Sequence, residues 1–319
     1  MPNSPLKYAT SASHGIYTVD SGFVRPLFDA VYLVTQRAPS SNRVAIIDSG
    51  TKDSLSRILS TLAEIDCGPE NVDYLILTHV HLDHAGGAGA IMQACPYAKL
   101  VVHPRGVKHM TDPSALRAGA VAVYGEAVID KDYGQLIPIP EERMIVAQDG
   151  MMINLAGRML TCFDTPGHAK HHICIWDDVS RGIFTGDTFG ISYRDFDTEK
   201  GAFIFPTTSP IQFDPKAMRS SLKRLMNLKP DYIFPTHYGK LEQVPHLYQK
   251  MLDMLTQVEE LGESLRNAEN RHELLKSGLL NLYIQELRDH DCKLSDSKID
   301  QLLKTDIELN AQGMGVWLG

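Results

Sequence analysis

Thr78-His79-Val80-His81-Leu82-Asp83-His84-Ala85-Gly86-Gly87 is the stretch that orders the rest of the chain. Three histidines and one aspartate fall within six residues, directly after the apolar run Val72–Leu77. At this composition, the pattern H-x-H-x-D-H arises by chance about 0.002 times per chain. A lone histidine is most often a core or surface residue satisfied by hydrogen bonds. A cluster of this density at a strand end points to metal instead. Alternate side chains at a strand end project to one side, so His79 and His81 face one point. The following turn offers Asp83 and His84 to a second point nearby. Imidazole together with carboxylate suits zinc, iron or manganese. Gly86-Gly87 lets backbone approach closely and a helix begin without steric conflict.

The flanking sequence supplies the frame. Val31–Val34 and Val44–Ile47 are short β-branched runs, the second ending in the turn signal Asp48-Ser49-Gly50. From Asp53, read as a helix N-cap, Leu55, Ile58, Leu59, Leu62 and Ile65 follow helical spacing until Gly68-Pro69. Val101-Val102, Leu160–Phe163, Ile173–Trp176 and Gly182–Thr185 read as further strands. Asp214-Pro215 opens another helix, with proline at its first position. Tyr232–Phe234 is a strand before Pro235-Thr236-His237. Beyond about residue 245, three apolar stripes at helical spacing follow one another. Strands alternating with helices make the core α/β and layered. Residues 105–148 hold Pro113, Gly119, Gly125, Gly134, Pro138 and Pro140, and read as an irregular insertion with one short helix.

Three more strand ends carry metal-binding side chains. Asp164-Thr165-Pro166-Gly167-His168 ends one in histidine, Phe184-Thr185-Gly186-Asp187 ends one in aspartate, and Phe234-Pro235-Thr236-His237 ends one in histidine. Each alone is weak. Together with the first cluster they suggest loops converging at one edge of a layered sheet.

Composition narrows the function classes. The 319 residues carry 31 Lys and Arg against 39 Asp and Glu, a net charge of −8 with histidine neutral. Hydrophobic residues at 43% and charged residues at 22% exclude wholesale disorder. The acidic balance argues against a nucleic-acid partner. No apolar run reaches the roughly 18 residues needed to cross a bilayer, so no membrane partner is expected. The N-terminal stretch lacks the apolar core of a secretory signal, and Cys67, Cys95, Cys162, Cys174 and Cys292 are scattered. Reduced thiols and a cytoplasmic location are therefore expected.

In combination, the four motifs resemble the metallo-β-lactamase fold superfamily of metal-dependent hydrolases, nearest its glyoxalase II-like branch. The likeness spans residues 15–240. It implies an αββα sandwich, with two mixed sheets face to face, helices outside and metals at one edge. A catalytic domain over residues 1–244 and a helical C-terminal extension over 245–319, packed on the core, are expected. By position, His79, His81 and His168 would hold a first metal and Asp83, His84 and His237 a second, with Asp187 bridging. Two divalent ions are implied, zinc foremost, with iron or manganese as alternatives. Asp48 stands where such folds keep a residue that orients ligands; it reads equally as a turn cap. His172 keeps the spacing of the last histidine in the family's Thr-Pro-Gly-His motif, with His171 replacing a glycine, and reads as lying behind the ligands.

Charge then points to chemistry. Two divalent ions, two aspartates and one bridging hydroxide leave about one net positive charge, in keeping with metals that lower the pKa of bound water to about 7. A small-molecule ester or thioester is the expected substrate, with Asp83 as the catalytic proton acceptor. A lactonase, a phosphodiesterase, an iron-dependent redox enzyme and a ligand-binding relative are the alternatives. Tyr193 and Arg194, close after Asp187, are candidates for substrate contact. Phe203–Thr208 reads as a pocket wall or a buried strand, and Tyr238 as an oxyanion donor or a packed tyrosine. The tail stripes suit core packing or a homodimer surface.

Overall fold

The β-branched runs become strands, and their neighbours explain why the apolar residues come unbroken. In the computed structural model, which describes residues 5–39, 41–208 and 210–319, a first sheet holds seven strands in spatial order. They are β1 (Ala9–Ser11), β2 (Ile16–Asp20), β3 (Ala30–Arg37), β4 (Asn42–Ile47), β5 (Val72–Ile76), β6 (Lys99–Val102) and β7 (Met144–Val146). The first four pair antiparallel, and β4 to β7 pair parallel. Parallel neighbours need crossovers, which supply helices. These are α1 (Ser54–Glu64), then α2 (Leu82–Ala85) with α3 (Ala88–Ala94), then α4 (Val107–Thr111), α5 (Ser114–Tyr124) and α6 (Glu126–Asp132). A second sheet holds β8 (Met152–Leu155), β9 (Arg158–Asp164), β10 (Ile173–Asp177), β11 (Gly182–Gly186) and β12 (Tyr232–Pro235). Only β11 and β12 pair parallel there.

Two apolar layers result. On one face of the first sheet, Val19, Leu33, Ile46 and Leu75 pack with Ile58, Leu62 and Ile91. On the other, Tyr32, Val34, Ile47 and Ile76 lie among Leu160, Ile175, Phe184 and Phe234 of the second sheet. A sheet covered on both faces has no use for polar alternation, so Val31–Val34 is buried throughout. Each such side chain contributes roughly 1.5–3 kcal/mol by leaving water. The α/β sandwich of two mixed sheets with flanking helices and a helical C-terminal extension, expected from the sequence, is the fold the chain adopts.

Local readings fare unevenly. Before α7 (Pro215–Met226), Asp214 accepts a hydrogen bond from Ala217 N at 2.9 Å, as an N-cap should. Asp53 occupies the N-cap position of α1 but makes no capping bond, because its own backbone is already helical. Instead, the Ser54 hydroxyl accepts from Thr51 N at 3.1 Å. Residues 105–148 depart from the expectation of one short helix: they form α4, α5 and α6 and end in the edge strand β7. No residue of α5 is fully buried; Leu116, Ala120 and Val121 pack, half-buried, against Leu82, Ile129 and Tyr133, a stripe too short to stand out in the sequence.

By its contacts the chain divides into two units. The first runs to Asp164 and adds residues 171–186 and 231–240; it contains both sheets. The second comprises residues 165–170, 187–230 and 241–319. Its helices are α7, α8 (Val244–Leu265), α9 (Arg271–Asp289) and α10 (Asp296–Leu318). The tail helices thus share a unit with 187–230, which the sequence reading places in the catalytic domain. Glycines let these helices close up: a Cβ at Gly262 would meet the Trp317 ring at 2.8 Å, and one at Gly278 would meet Leu261 at 2.6 Å. Among the described residues, no helix is long and apolar enough to cross a membrane. All five cysteines are buried free thiols.

One ion pair lies wholly inside the first unit. Arg158 Nε donates to Asp177 Oδ1 at 2.7 Å and Nη2 to Oδ2 at 2.5 Å, while Nη1 reaches the His14 and Thr35 carbonyls. Both side chains are buried. Arg158→Met would leave the buried Asp177 carboxylate without its cation, held only by neutral donors of Val179 and Ser180, and is expected to cost about 3–5 kcal/mol. Urea unfolding followed by circular dichroism measures it, and a loss under about 1 kcal/mol would contradict this account.

Candidate metal centre

The site begins with the backbone that ends β4 and β5. Asp48 N donates to Ile76 O at 2.9 Å, and Thr78 N donates to Asp48 Oδ1 at 2.7 Å. Ser49 N and Oγ both donate to His84 O, and Gly87 N donates to Gly50 O. The turn after β4 therefore cradles α2. Gly87 is required at this contact, since a Cβ there would lie 2.6 Å from Thr51 O. Asp48 itself is left-handed, at φ +58°, a conformation that costs a non-glycine residue energy and concentrates at functional sites.

The Asp48 carboxylate governs two histidines. Its oxygens accept from the Thr78 hydroxyl at 2.9 and 3.0 Å, the Thr236 hydroxyl at 2.8 Å and His84 Nδ1 at 2.8 Å. A carboxylate only accepts, so His84 carries its proton on Nδ1 and presents the Nε2 lone pair. The Thr78 hydroxyl spends its proton on Asp48, so its oxygen accepts from His79 Nδ1 at 3.2 Å. His79 Nε2 is then also a lone pair, and it faces His81 Nδ1 at 3.0 Å. Asp48 thus holds both rings as metal ligands need to be held.

A third imidazole is set the same way. His237 Nδ1 donates to Phe28 O at 2.9 Å, which leaves Nε2 pointing at Asp83 Oδ2, 3.3 Å away. His84 Nε2 lies 3.6 Å from the same oxygen. Asp83, His84 and His237 each offer one ligand atom, all within 4.8 Å of one another. Two imidazole lone pairs and a carboxylate at that spacing suit a divalent transition ion.

The second unit carries the remaining expected ligands. His168 Nε2 lies 3.5 Å from Asp187 Oδ2, and both side chains are buried. The Thr165–His168 turn sits on α7: Asp214 N donates to Gly167 O at 2.8 Å and Ser221 Oγ to Pro166 O at 2.7 Å. Gly167 has φ +142°, and a Cβ there would lie 2.4 Å from Met218 Cα. Thr188 Oγ1 ties the Asp187 loop to Thr165 O at 3.1 Å.

Other candidates fall elsewhere. His172 is buried and stacks on His79 with ring centroids 4.9 Å apart. Tyr238 is buried in the apolar layer between the sheets. Tyr193 has no exposed surface, and its hydroxyl donates to Asp306 at 3.0 Å within the second unit. The Arg194 guanidinium is engaged by Asp197 at 3.2 Å and by Ser192 O at 3.0 Å. Phe203–Phe205 is buried without forming a regular strand; only Phe205 bridges, to Ile191.

Sequence reasoning passed over His171 and Asp29. His171 Nδ1 accepts from Val80 N at 3.5 Å, and burial with His81, His109 and His103 nearby pushes its pKa down to about 3, so its ring is neutral. The Thr165–His168 spacing flagged the neighbouring His172, and nothing in the pattern separates the two. Asp29 is a single acid ahead of a strand and leaves no pattern.

The comparisons agree with the geometry. A family model described as the metallo-beta-lactamase superfamily matches residues 24–237, a span holding every candidate ligand. The chain is 27% identical to the metallo-beta-lactamase fold-containing protein ST1585 of Sulfurisphaera tokodaii, over 77% of this chain and 86% of that one. The crystal structure of that archaeal protein superposes with a TM-score of 0.66 at 24% identity, covering 94% of this chain and 98% of the other. The hydroxyacylglutathione hydrolase of Aeromonas hydrophila is 26% identical over 70% of this chain and 67% of its own length. The atrochrysone carboxyl ACP thioesterase of Aspergillus fumigatus is 24% identical over 57% of this chain, which spans only 43% of that protein.

Asp48→Ala removes the acceptor for four buried donors. It is expected to destabilise the metal-free protein by at least about 3 kcal/mol, read from its urea midpoint. A wild-type midpoint would show that Asp48 does not organise the site.

Proposed function

The chain belongs to the metallo-beta-lactamase superfamily, and we propose that it is a dinuclear metal-dependent hydrolase of a small ester or thioester. The observation that carries the reading is the Asp83–His84–His237 group, with both imidazoles oriented Nε2-inward by acceptors on their far nitrogens. By the ligand pattern the resemblance implies, His79, His81 and His168 would hold one ion and Asp83, His84 and His237 the other, with Asp187 as the remaining expected ligand. Zinc is the proposed occupant of both. When bound, the ions supply a water of lowered pKa and a Lewis acid for the developing oxyanion.

The chain's own residues do the rest. Asp48 and the Phe28 carbonyl hold the ligating rings still, so little reorganisation accompanies reaction. Asp83 has 25% of its side chain exposed and is the one carboxylate of its group, so it is placed to accept the proton released as water attacks the acyl carbon. The carbon–oxygen bond forms, the carbon–sulfur or carbon–oxygen ester bond breaks, and the leaving thiol or alcohol takes up a proton. Two relatives named for cleaving acyl–sulfur bonds support a thioester over a phosphodiester.

The test is a panel of thioesters, esters, lactones and phosphodiesters run on protein of measured metal content, with His81→Ala as the blank. About two zinc ions per chain are expected, with activity lost on chelation and restored by zinc. Asp83→Asn is expected to lower kcat by about 100-fold or more. Turnover by metal-free protein would refute the reading, and bound iron with visible absorbance would redirect it to redox chemistry.

A further inference from the structure

A carboxylate with no place in the expected ligand set lies beside the Asp83–His84–His237 group. Asp29 directly precedes β3, and its neighbours on both sides are pinned to the segment that carries His237. The Phe28 carbonyl accepts from His237 Nδ1 at 2.9 Å, and Ala30 N donates to Thr236 O at 2.8 Å. The Phe28 ring also stands edge-on to the His237 ring, with centroids 5.3 Å apart. Asp29 is therefore held in register with the His237 loop.

Its side chain has no exposed surface, and neither carboxylate oxygen has a hydrogen-bond partner among the described residues. The Ser21 hydroxyl favours the anion slightly without reaching hydrogen-bond geometry. Burial pushes the Asp29 pKa up to about 8 against the pull of His237 and His84, with Asp83 adding to the rise. The two backbone bonds to the His237 segment, from Phe28 O and Ala30 N, hold this carboxylate near the candidate second metal position. A buried carboxylate is unfavourable unless a positive charge or a proton compensates it. Asp48 meets that need with four donors, whereas Asp29 has none. Among the described residues, Asp29 is not one of those that offer the converging ligand atoms.

We propose that Asp29 is a buried counter-charge for the cation held by Asp83, His84 and His237: a positioning residue that raises that site's affinity for a divalent ion without binding the ion. The inference rests on the reading of that group as a metal site. It adds a distinct consequence, that one ion is retained by more negative charge than its ligands alone provide.

The test uses the full chain, stripped of metal, as wild type, Asp29→Asn and Asp29→Ser. Asparagine keeps the shape of the side chain, and serine removes the carboxylate in a second way. Zinc is titrated against a chromophoric chelator, and the thermal midpoint is recorded with and without zinc. Cobalt substitution reports the ligand geometry by its visible spectrum. Two zinc ions are expected on the wild type. In both variants, one of the two sites is expected to lose about tenfold or more in affinity. The zinc-induced rise in midpoint should shrink, the metal-free midpoint should equal or exceed that of the wild type, and the cobalt spectrum should be retained at saturation. Zinc curves that superimpose on the wild type would overturn the inference and leave the metal-site reading standing. A lower metal-free midpoint with an unchanged zinc-induced rise would also overturn it, by showing a structural role. A wild type that takes up no zinc would overturn the metal-site reading itself.

Discussion

The Asp48 carboxylate is where the folding problem and the chemical problem of this protein meet. It accepts from the end of β5 through Thr78, from the end of β12 through Thr236, and from His84. Strand ends from both sheets are thus tied to one short side chain, at the edge where the sandwich closes. A carboxylate suits the position because it offers several lone pairs and no proton, so every partner must arrive as a donor. That requirement sets the tautomers of His84 and, through Thr78, of His79. Fixing which nitrogen carries a proton fixes which nitrogen faces inward.

The remaining ligand candidates depend on close packing of a different kind. His168 sits on a turn pressed against the start of α7, where Gly167 leaves no room for a side chain. Asp187 leads into residues 190–208, whose aromatic side chains are buried and whose polar atoms bond to the tail helices. Tyr193 meets Asp306, while Thr208 meets Asn310, which also donates to Tyr283. Buried polar groups satisfied in this way specify one arrangement, since any alternative leaves donors unpaired. The C-terminal helices are therefore part of what holds the 187–208 segment in shape.

The motifs were legible because they are dense and local. Three histidines and an aspartate within six residues after an apolar strand announce both an element boundary and a chemistry. Asp214-Pro215 announced a helix start, and three stripes announced three tail helices. Where the signal was thin, the reading missed. Residues 114–124 are helical with only a short, half-buried apolar stripe at Leu116, Ala120 and Val121, too weak a period to mark a helix. The bond from Tyr193 to Asp306 leaves no trace in the sequence, because its two ends lie more than a hundred positions apart along the chain.

The sequence by itself determined the class of fold and the kind of atoms available for metal, because hydrophobic period and residue chemistry are local properties. Which nitrogen of His79, His84 and His237 points inward, and that Asp29 is buried without a hydrogen-bond partner among the described residues, were decided only in three dimensions. Those properties depend on what surrounds a side chain, and the surroundings are assembled from strand ends far apart in the chain.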